Sequence, residues 1–143
     1  MIGLCGGLTF IYGALAVGGL EDGIVPAAFA FLIHLAREIV KDVEDIAGDR
    51  RAGAKTLPIV TSERGAQQVA AVVSTVLILL TPIPYLMGLL GGWYLTVVVA
   101  TVDIPLVWVV VMLFKGQDRA GLRRLSIVQK AVMVTGLAAL FCG

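Results

Sequence analysis

The chain alternates long apolar segments with short polar ones. This pattern predicts five helices, over residues 3–20, 25–46, 63–89, 93–114 and 121–142. The first is apolar and rich in glycine, and it has about the length that a helix needs to cross a bilayer. The second is apolar only to Ala36 and ends in charged turns, as expected where a helix leaves lipid for water or a polar cavity. The fold class indicated is an all-α bundle of transmembrane helices.

Breaker residues delimit these helices. Residues 21–23 (Glu-Asp-Gly) predict the first break, and Pro26 suits the first turn of the next helix. Residues 50–61 are expected to form a loop, and Ser62 to cap the third helix. Further breakers are Pro82 and Pro84, which should kink or interrupt the third helix, the glycines at 88, 91 and 92, and the polar link 115–121.

Composition supports a location in the membrane. The 143 residues are 59% hydrophobic, against about 45–50% in soluble domains, and mean hydropathy is +0.97. Cys5 and Cys142 lie in apolar segments near opposite ends of the chain, as expected of small core residues. The net charge of +1 gives no reason to expect a nucleic-acid partner.

The basic residues predict the orientation in the membrane. All eleven Lys and Arg lie within 37–64 and 115–130, around the links that follow the second and fourth helices. Loops rich in Lys and Arg face the cytoplasm, so both links are expected there, with the N-terminus inside and the C-terminus outside. We therefore expect an integral protein of the cell membrane whose charged stretch lies at the cytoplasmic side.

The densest charge lies between His34 and Pro58. Asp42, Asp45 and Asp49 are three and four residues apart, which on a helix places them on one face. Close carboxylates repel one another unless a cation lies among them, and Mg²⁺ takes one or two carboxylates together with water and phosphate. The local prediction is a magnesium–diphosphate site. The simpler interpretation is a solvated charged helix end.

Residues 37–58 read R-E-x-x-K-D-x-E-D-x-x-G-D-x-x-x-G-A-K-T-L-P. This run resembles the second aspartate-rich motif of the UbiA superfamily of intramembrane prenyltransferases, and most closely that of its archaeal ether-lipid branch. Residues 9–18 and 74–91, with Pro82, Pro84 and Tyr85, are also similar to that branch. The resemblance extends over nearly the whole chain, although the charged run is its specific part.

The resemblance implies nine transmembrane helices, of which the five predicted here correspond to the fifth to the ninth. It also implies two acidic motifs, N-x-x-x-D-x-x-x-D and D-x-x-x-D. Asp45 and Asp49 match the second motif, and Asp42 is an additional acid one turn earlier. The first motif occurs nowhere in these residues. We therefore interpret residues 1–143 as the C-terminal part of one prenyltransferase domain, with an N-terminal half expected in the parent protein.

The implied reaction transfers a prenyl group from its diphosphate to an acceptor hydroxyl, with Mg²⁺ as cofactor. The branch resembled implies a geranylgeranyl donor and a geranylgeranylglyceryl phosphate acceptor, both membrane lipids. Asp45 and Asp49 are the expected metal ligands and catalytic carboxylates, and Asp42 is a third ligand or supports the other two. Apolar helix faces are expected to hold the prenyl chain.

Five basic residues are candidate contacts for substrate phosphates. Lys41 and Arg37 are candidates for the donor diphosphate, although Lys41 also has the spacing for an ion pair with Asp45. Lys55, Arg50 and Arg51 are candidates for the acceptor phosphate. For the two arginines, contact with solvent or lipid headgroups is the simpler interpretation.

Two further polar residues lie within predicted helices. His34 is either a base near the carboxylates or a residue hydrogen-bonded between helices, and the second role is favoured. Asp103 lies near the middle of the fourth helix, where an acid is functional by default. We favour a structural role for it, through an ion pair with Lys130.

Other functions remain open from the sequence alone. The acceptor could instead be an aromatic quinone precursor or a chlorophyll-type alcohol, or the chain could be an inactive fragment that lacks the first motif. A transporter or channel would distribute charges along the transmembrane path, whereas these carboxylates cluster at one end. A soluble terpene synthase uses similar acidic motifs, but its helices would not be apolar on all sides.

Overall fold

The computed structural model describes residues 20–140, and within that range the chain is helical with no strand. The all-α prediction is confirmed. The helices are α1 Leu20–Glu44, α2 Ile46–Arg51, α3 Leu57–Val60, α4 Glu63–Leu80, α5 Ile83–Leu86, α6 Gly92–Val98, a π-helix Val99–Asp103, α7 Ile104–Lys115 and α8 Arg119–Leu140. The predicted helix 3–20, except for its last residue, and both cysteines lie outside the described residues.

Four long elements form the bundle. Helix α1 packs against α4 and α8, α4 packs against α7, and the continuous run of α6, the π-helix and α7 packs back against α8. The C-termini of α1 and α7 and the N-termini of α4 and α8 therefore lie at one end, which we call the charged end. The predicted alternation of helix directions is confirmed for these four elements.

The interior consists of two apolar clusters, one above the other. The cluster near the charged end contains Val40 and Val43 of α1, Val109 and Leu113 of α7, and Leu125 of α8. The other cluster, toward the opposite end, is built from Ile33, Leu77, Tyr94, Val98, Val102, Leu106, Val132 and Ala139. Burial of these side chains holds the four helices in a fixed register.

The outer faces of α4 and α7 are apolar as well. Val72 and Leu79 on α4, and Val107 and Phe114 on α7, are exposed. Glu63–Leu86 and Gly92–Lys115 are both long and apolar enough to cross a bilayer. Apolar side chains that point outward from such helices contact lipid rather than water, as in an integral membrane protein.

Two predicted boundaries were wrong. Residues 21–23 do not break the chain, because α1 begins at Leu20 and runs through Pro26. Pro26 is the seventh residue of α1, so it removes one backbone hydrogen bond of the helix without ending it. The predicted loop 50–61 contains the short helix α3, whose second residue is Pro58, a position where that missing hydrogen is not needed.

The prolines of α4 and α7 act differently. After α4 the chain turns at Thr81 and Pro82, as predicted, and resumes as α5. Pro105 instead follows the π-helix, and its missing amide hydrogen deprives the Thr101 carbonyl of its usual donor. Thr135 of α8 donates to that carbonyl at 3.2 Å. The distortion is thus compensated by a neighbouring helix.

The link between α7 and α8 is fastened to α4. The Gln67 amide donates to the Gln117 carbonyl at 3.1 Å and accepts from the Gln117 amide nitrogen at 2.8 Å. Arg64 donates to the Phe114 carbonyl at the end of α7. Ser62 caps α4 by accepting from the Gly65 amide nitrogen at 2.9 Å, as predicted. These contacts hold the start of α4 against the link between α7 and α8 at the charged end.

Candidate active site at the charged end

The three aspartates lie where α1 passes into α2. Helix α1 ends at Glu44, Asp45 occupies a turn, and α2 begins at Ile46, two residues after the end of α1. The Asp45 amide still donates to the Lys41 carbonyl, and the Asp49 amide to the Asp45 carbonyl. The chain therefore keeps a nearly helical path with a break at Asp45, and this path brings Asp42 and Asp49 near one another.

Negative charge accumulates around Asp42. Its side chain is partly buried, and this burial is the main cause that raises the pKa of the carboxyl above its usual range. The charge of Asp49 raises that pKa further, ahead of smaller contributions from Glu38 and Asp45. The neighbouring carboxylates disfavour the ionised form of Asp42. The negative potential at this position therefore attracts a cation.

Lys41 pairs with Asp45. Its ammonium donates to Asp45 Oδ2 at 2.9 Å, and both side chains are about half exposed. That hydrogen bond, together with the charge of the carboxylate, raises the pKa of the Lys41 ammonium. An exposed pair one turn apart contributes little to stability. Either residue can therefore leave the ion pair and bind a ligand with only a small loss of free energy.

The donor set suits a magnesium ion shared with a substrate. Among the described residues, no three His, Cys, Asp or Glu side chains are placed to hold one metal ion. Mg²⁺ does not require three, since one or two carboxylates with water and phosphate oxygens complete its shell. The mutually repelling carboxylates of Asp42 and Asp49, with Asp45 between them in the chain, fit such an ion.

The other candidate cations differ in burial. Arg50, Arg51 and Lys55 are exposed, and Arg51 donates to the Ala47 carbonyl of its own helix. Arg37 is partly buried, and its Nε atom is buried without a hydrogen-bond partner. An unpaired buried donor is costly. Of these four residues, Arg37 is therefore the one that needs a hydrogen-bond acceptor from a ligand.

A partly open apolar cavity lies between α1 and α8, further from the charged end, and α4, α6 and the π-helix complete its wall. Its volume is about 170 Å³, and α1 contributes Ala30, Ile33 and His34. Helix α8 contributes Met133, Gly136 and Leu137. The cavity therefore extends along α1 from just below Arg37 toward the opposite end, and almost all of its lining is apolar.

The predicted roles of two helix residues need revision. The Nδ1 atom of His34 is buried without a hydrogen-bond partner, so it does not make the interhelical bond that we favoured. Asp103 is not paired with Lys130, which is exposed on α8. Instead Thr81 Oγ1 lies 2.9 and 3.1 Å from the two carboxylate oxygens of Asp103. The structural role predicted for Asp103 thus rests on a different partner.

Sequence reasoning missed the buried polar network around Thr81. Its carbonyl accepts from the Tyr94 hydroxyl at 2.9 Å, and both residues line the cavity. Gln129, fully buried on α8 with neither amide atom paired, was missed as well. Thr81 and Gln129 are polar residues in apolar stretches of the sequence, and this was the available signal. The sequence did not show which neighbours they face.

Comparison with known proteins agrees with the acidic motif. A model of the UbiA prenyltransferase family matches residues 1–135. The digeranylgeranylglyceryl phosphate synthase of Halobacterium salinarum is 48% identical over 98 residues, which are 68% of this chain and 36% of that protein. The synthase of the same name from Methanothermobacter thermautotrophicus is 37% identical over 137 residues, 96% of this chain and 48% of that protein.

A solved structure has the same arrangement of helices. It comes from work on "Structural and mechanistic insights into the biosynthesis of Digeranylgeranylglyceryl phosphate synthase in membranes". The TM-score is 0.92 at 28% identity, over 99% of this chain and 50% of that one. The chain thus spans about half the length, or less, of the proteins that it matches.

Proposed function

Because the chain belongs to the UbiA prenyltransferase family, we propose that its charged end is half of an active site for ether-lipid synthesis. The reaction transfers a geranylgeranyl group from its diphosphate to the hydroxyl of geranylgeranylglyceryl phosphate. The observation that carries this proposal is the set of close carboxylates at the end of α1, in a chain similar to digeranylgeranylglyceryl phosphate synthases. Residues 1–143 are, in this proposal, the C-terminal part of a single domain.

Asp45 and Asp49 hold Mg²⁺ in this proposal, with Asp42 as a third ligand or as support for them. The ion supplies positive charge that makes diphosphate a better leaving group. Asp42 needs that charge as well, because burial and the neighbouring carboxylates raise its pKa when no cation is present. The first acidic motif of the family would come from a preceding segment of the natural gene product.

Lys41 donates to the phosphate oxygens of the donor, and Arg37, one turn earlier on α1, is a second cation for a substrate phosphate. Lys41 can turn from Asp45 to the leaving group, since the pair that it exchanges is exposed and weak. Lys55, Arg50 and Arg51 lie on the exposed segment after the acids and meet the acceptor phosphate or lipid headgroups. These cations stabilise the charge that develops as the diphosphate departs.

The cavity between α1 and α8 holds an apolar chain of a substrate. Its wall is built from Ile33, Val132 and neighbouring apolar residues, and it is partly open. A lipid chain can therefore enter from the bilayer while its phosphate remains at the charged end. We assign the charged end to the cytoplasmic side, where soluble Mg²⁺ is available, because the chain's Lys and Arg residues surround it.

The test is a transfer assay on the natural gene product that contains these residues, purified in detergent. Geranylgeranyl diphosphate is the donor, and a geranylgeranylglyceryl phosphate and an aromatic quinone precursor are offered separately. We expect transfer to the glyceryl phosphate only, loss of transfer with EDTA, and recovery with Mg²⁺. Transfer to the aromatic compound alone would reassign the acceptor. Transfer that is insensitive to EDTA would refute the metal assignment.

A further inference from the structure

Lys130 is a cation in an unexpected place on α8. It lies eleven residues after Arg119, about 16 Å along the helix, and the residues around it are mostly apolar. It is exposed, and no carboxylate among residues 24–139, whose side chains the structure describes, forms an ion pair with it. A charge at membrane depth is costly unless it faces an anion or water.

The packing of α8 shows which groove Lys130 borders. Thr135 bonds to Thr101, so the flank of α8 that carries Thr135 faces the π-helix. The flank with Met133 and Leu137 lines the cavity shared with α1. Lys130 precedes Met133 by three residues and Leu137 by seven, which places it on that same flank. It therefore borders the groove between α8 and α1.

Arg37 borders the same groove from the other side. It follows Ala30 by seven residues and His34 by three, and both of these line the cavity on α1. Because α1 and α8 are antiparallel, Arg37 and Lys130 each lie about one turn from the cavity toward the charged end. Arg37 Nε is buried without a partner. Two cations thus flank the groove directly above an apolar cavity.

We propose that Arg37 and Lys130 bind the phosphate of the lipid acceptor, with its hydrocarbon chain in the cavity beneath. The proposal rests on the proposed function and refines it. A doubly charged phosphate suits two cations and accepts several hydrogen bonds at once. The arrangement also matches a lipid, which has a charged head joined to an apolar chain.

The position separates this phosphate from the donor. Asp42 lies five residues beyond Arg37, about 7.5 Å along α1. A diphosphate held at the carboxylates therefore leaves the Arg37–Lys130 groove free for a second phosphorylated group. This assigns Arg37 to the acceptor and leaves Lys41, which already contacts Asp45, for the donor. Of the two roles given above to Lys55, Arg50 and Arg51, contact with lipid headgroups is then the one that remains.

The experiment measures both Michaelis constants in the natural gene product. Lys130→Gln should raise the KM for the glyceryl phosphate acceptor roughly tenfold or more, the scale of one lost charge-assisted hydrogen bond, with the donor KM unchanged. Lys130→Arg should retain most of the acceptor affinity. The matched control is Arg124→Gln, an exposed cation on the other flank of α8, which should leave both constants unchanged.

A second measurement does not depend on turnover. Glycerol phosphate, the headgroup alone, should raise the melting temperature of the wild type and of Arg124→Gln but not that of Lys130→Gln. Equal protection of all three proteins would overturn the proposal, as would a rise in the donor KM alone. The wild type could fail to use a glyceryl phosphate acceptor and still show a rise in melting temperature with glycerol phosphate that depends on Lys130. In that case the proposed function fails while the phosphate site stands.

Discussion

Two carboxylates of the same bundle, both partly buried, differ in their neighbours. Asp103, deep in the apolar region, has the Thr81 hydroxyl within hydrogen-bond distance of both of its oxygens, and Tyr94 completes the network at the Thr81 carbonyl. Asp42, at the charged end, is close to other carboxylates that raise its pKa. The fold supplies the first carboxylate with a hydroxyl partner, whereas the second is opposed by the charges of other carboxylates.

The difference separates structural from functional polar groups. Groups that the fold satisfies hold helices in place, as Thr81 does between the end of α4 and the π-helix. Groups that the fold leaves in mutual repulsion reduce stability, and such a cost is expected where a ligand binds. Asp42, whose charge is opposed by that of Asp49, belongs to the second kind, and Arg37 Nε, buried without a partner, is likewise left unsatisfied.

The largest expected effect is at the acidic end. Asp45→Ala and Asp49→Ala should each lower the rate of prenyl transfer by roughly 100-fold or more, because a group that holds charge at the leaving diphosphate is lost. The melting temperature should not fall, since neither carboxylate is buried in the core. Rates are measured at saturating Mg²⁺ in the natural gene product.

Glu63→Gln is the matched control for those variants. Glu63 is an exposed acid at the same end of the bundle, in the first turn of α4. Its rate should match the wild type. Turnover like that of the wild type in either aspartate variant would remove that residue from the site.

The opposite behaviour is expected at Thr81. Thr81→Val should lower the free energy of unfolding by about 1–3 kcal/mol, because it removes the hydroxyl that faces both the Asp103 carboxylate and the Ile78 carbonyl. Thr75→Val, in α4 and six residues before Thr81, is the control. The Thr75 hydroxyl bonds only to the Ala71 carbonyl of α4, so its loss should cost about 0.5 kcal/mol or less. Equal losses of unfolding free energy in the two variants, measured by chemical unfolding, would show that the contact between Thr81 and Asp103 adds nothing to stability.

Asp103→Asn changes the other partner of the hydrogen bond with Thr81 and tests the same contrast between Asp103 and Asp42. An amide can still accept from Thr81, so we expect a smaller loss of stability than for Thr81→Val, with prenyl transfer retained. Transfer rate and melting temperature are measured on one preparation. A variant that melts like the wild type but no longer transfers the prenyl group would make Asp103 functional, and the contrast with Asp42 would fail.

The sequence predicted local features better than distant contacts. The cap at Ser62 follows from residues within one turn, and the α-helix is regular enough to extrapolate over that distance. The break at Asp45, between α1 and α2, was not predicted. The pairing of Asp103 with Lys130 was wrong because depth in the membrane does not fix which helix faces meet. The flank of α8 that bears Thr135, not Lys130, packs against the π-helix.

The smallest expected effect concerns the stability of the charged end as a function of pH. The pKa of Asp42 is raised in the folded protein, so its contribution favours folding below the ordinary pKa of aspartate and is lost as the pH rises through the raised value. At neutral pH without metal, the ionised carboxylate is therefore a cost. Because the side chain is partly exposed, that cost should be only about 0.5 kcal/mol.

Asp42→Asn should thus unfold at a slightly higher temperature than the wild type near pH 7 in EDTA. The advantage should disappear near pH 3.5, where the wild-type carboxyl is also neutral. Mg²⁺ should reverse the order at pH 7, because the wild type keeps the carboxylate that helps to hold the ion. If the variant is less stable than the wild type in EDTA at neutral pH, Asp42 is satisfied by the fold after all, and the distinction from Asp103 does not hold.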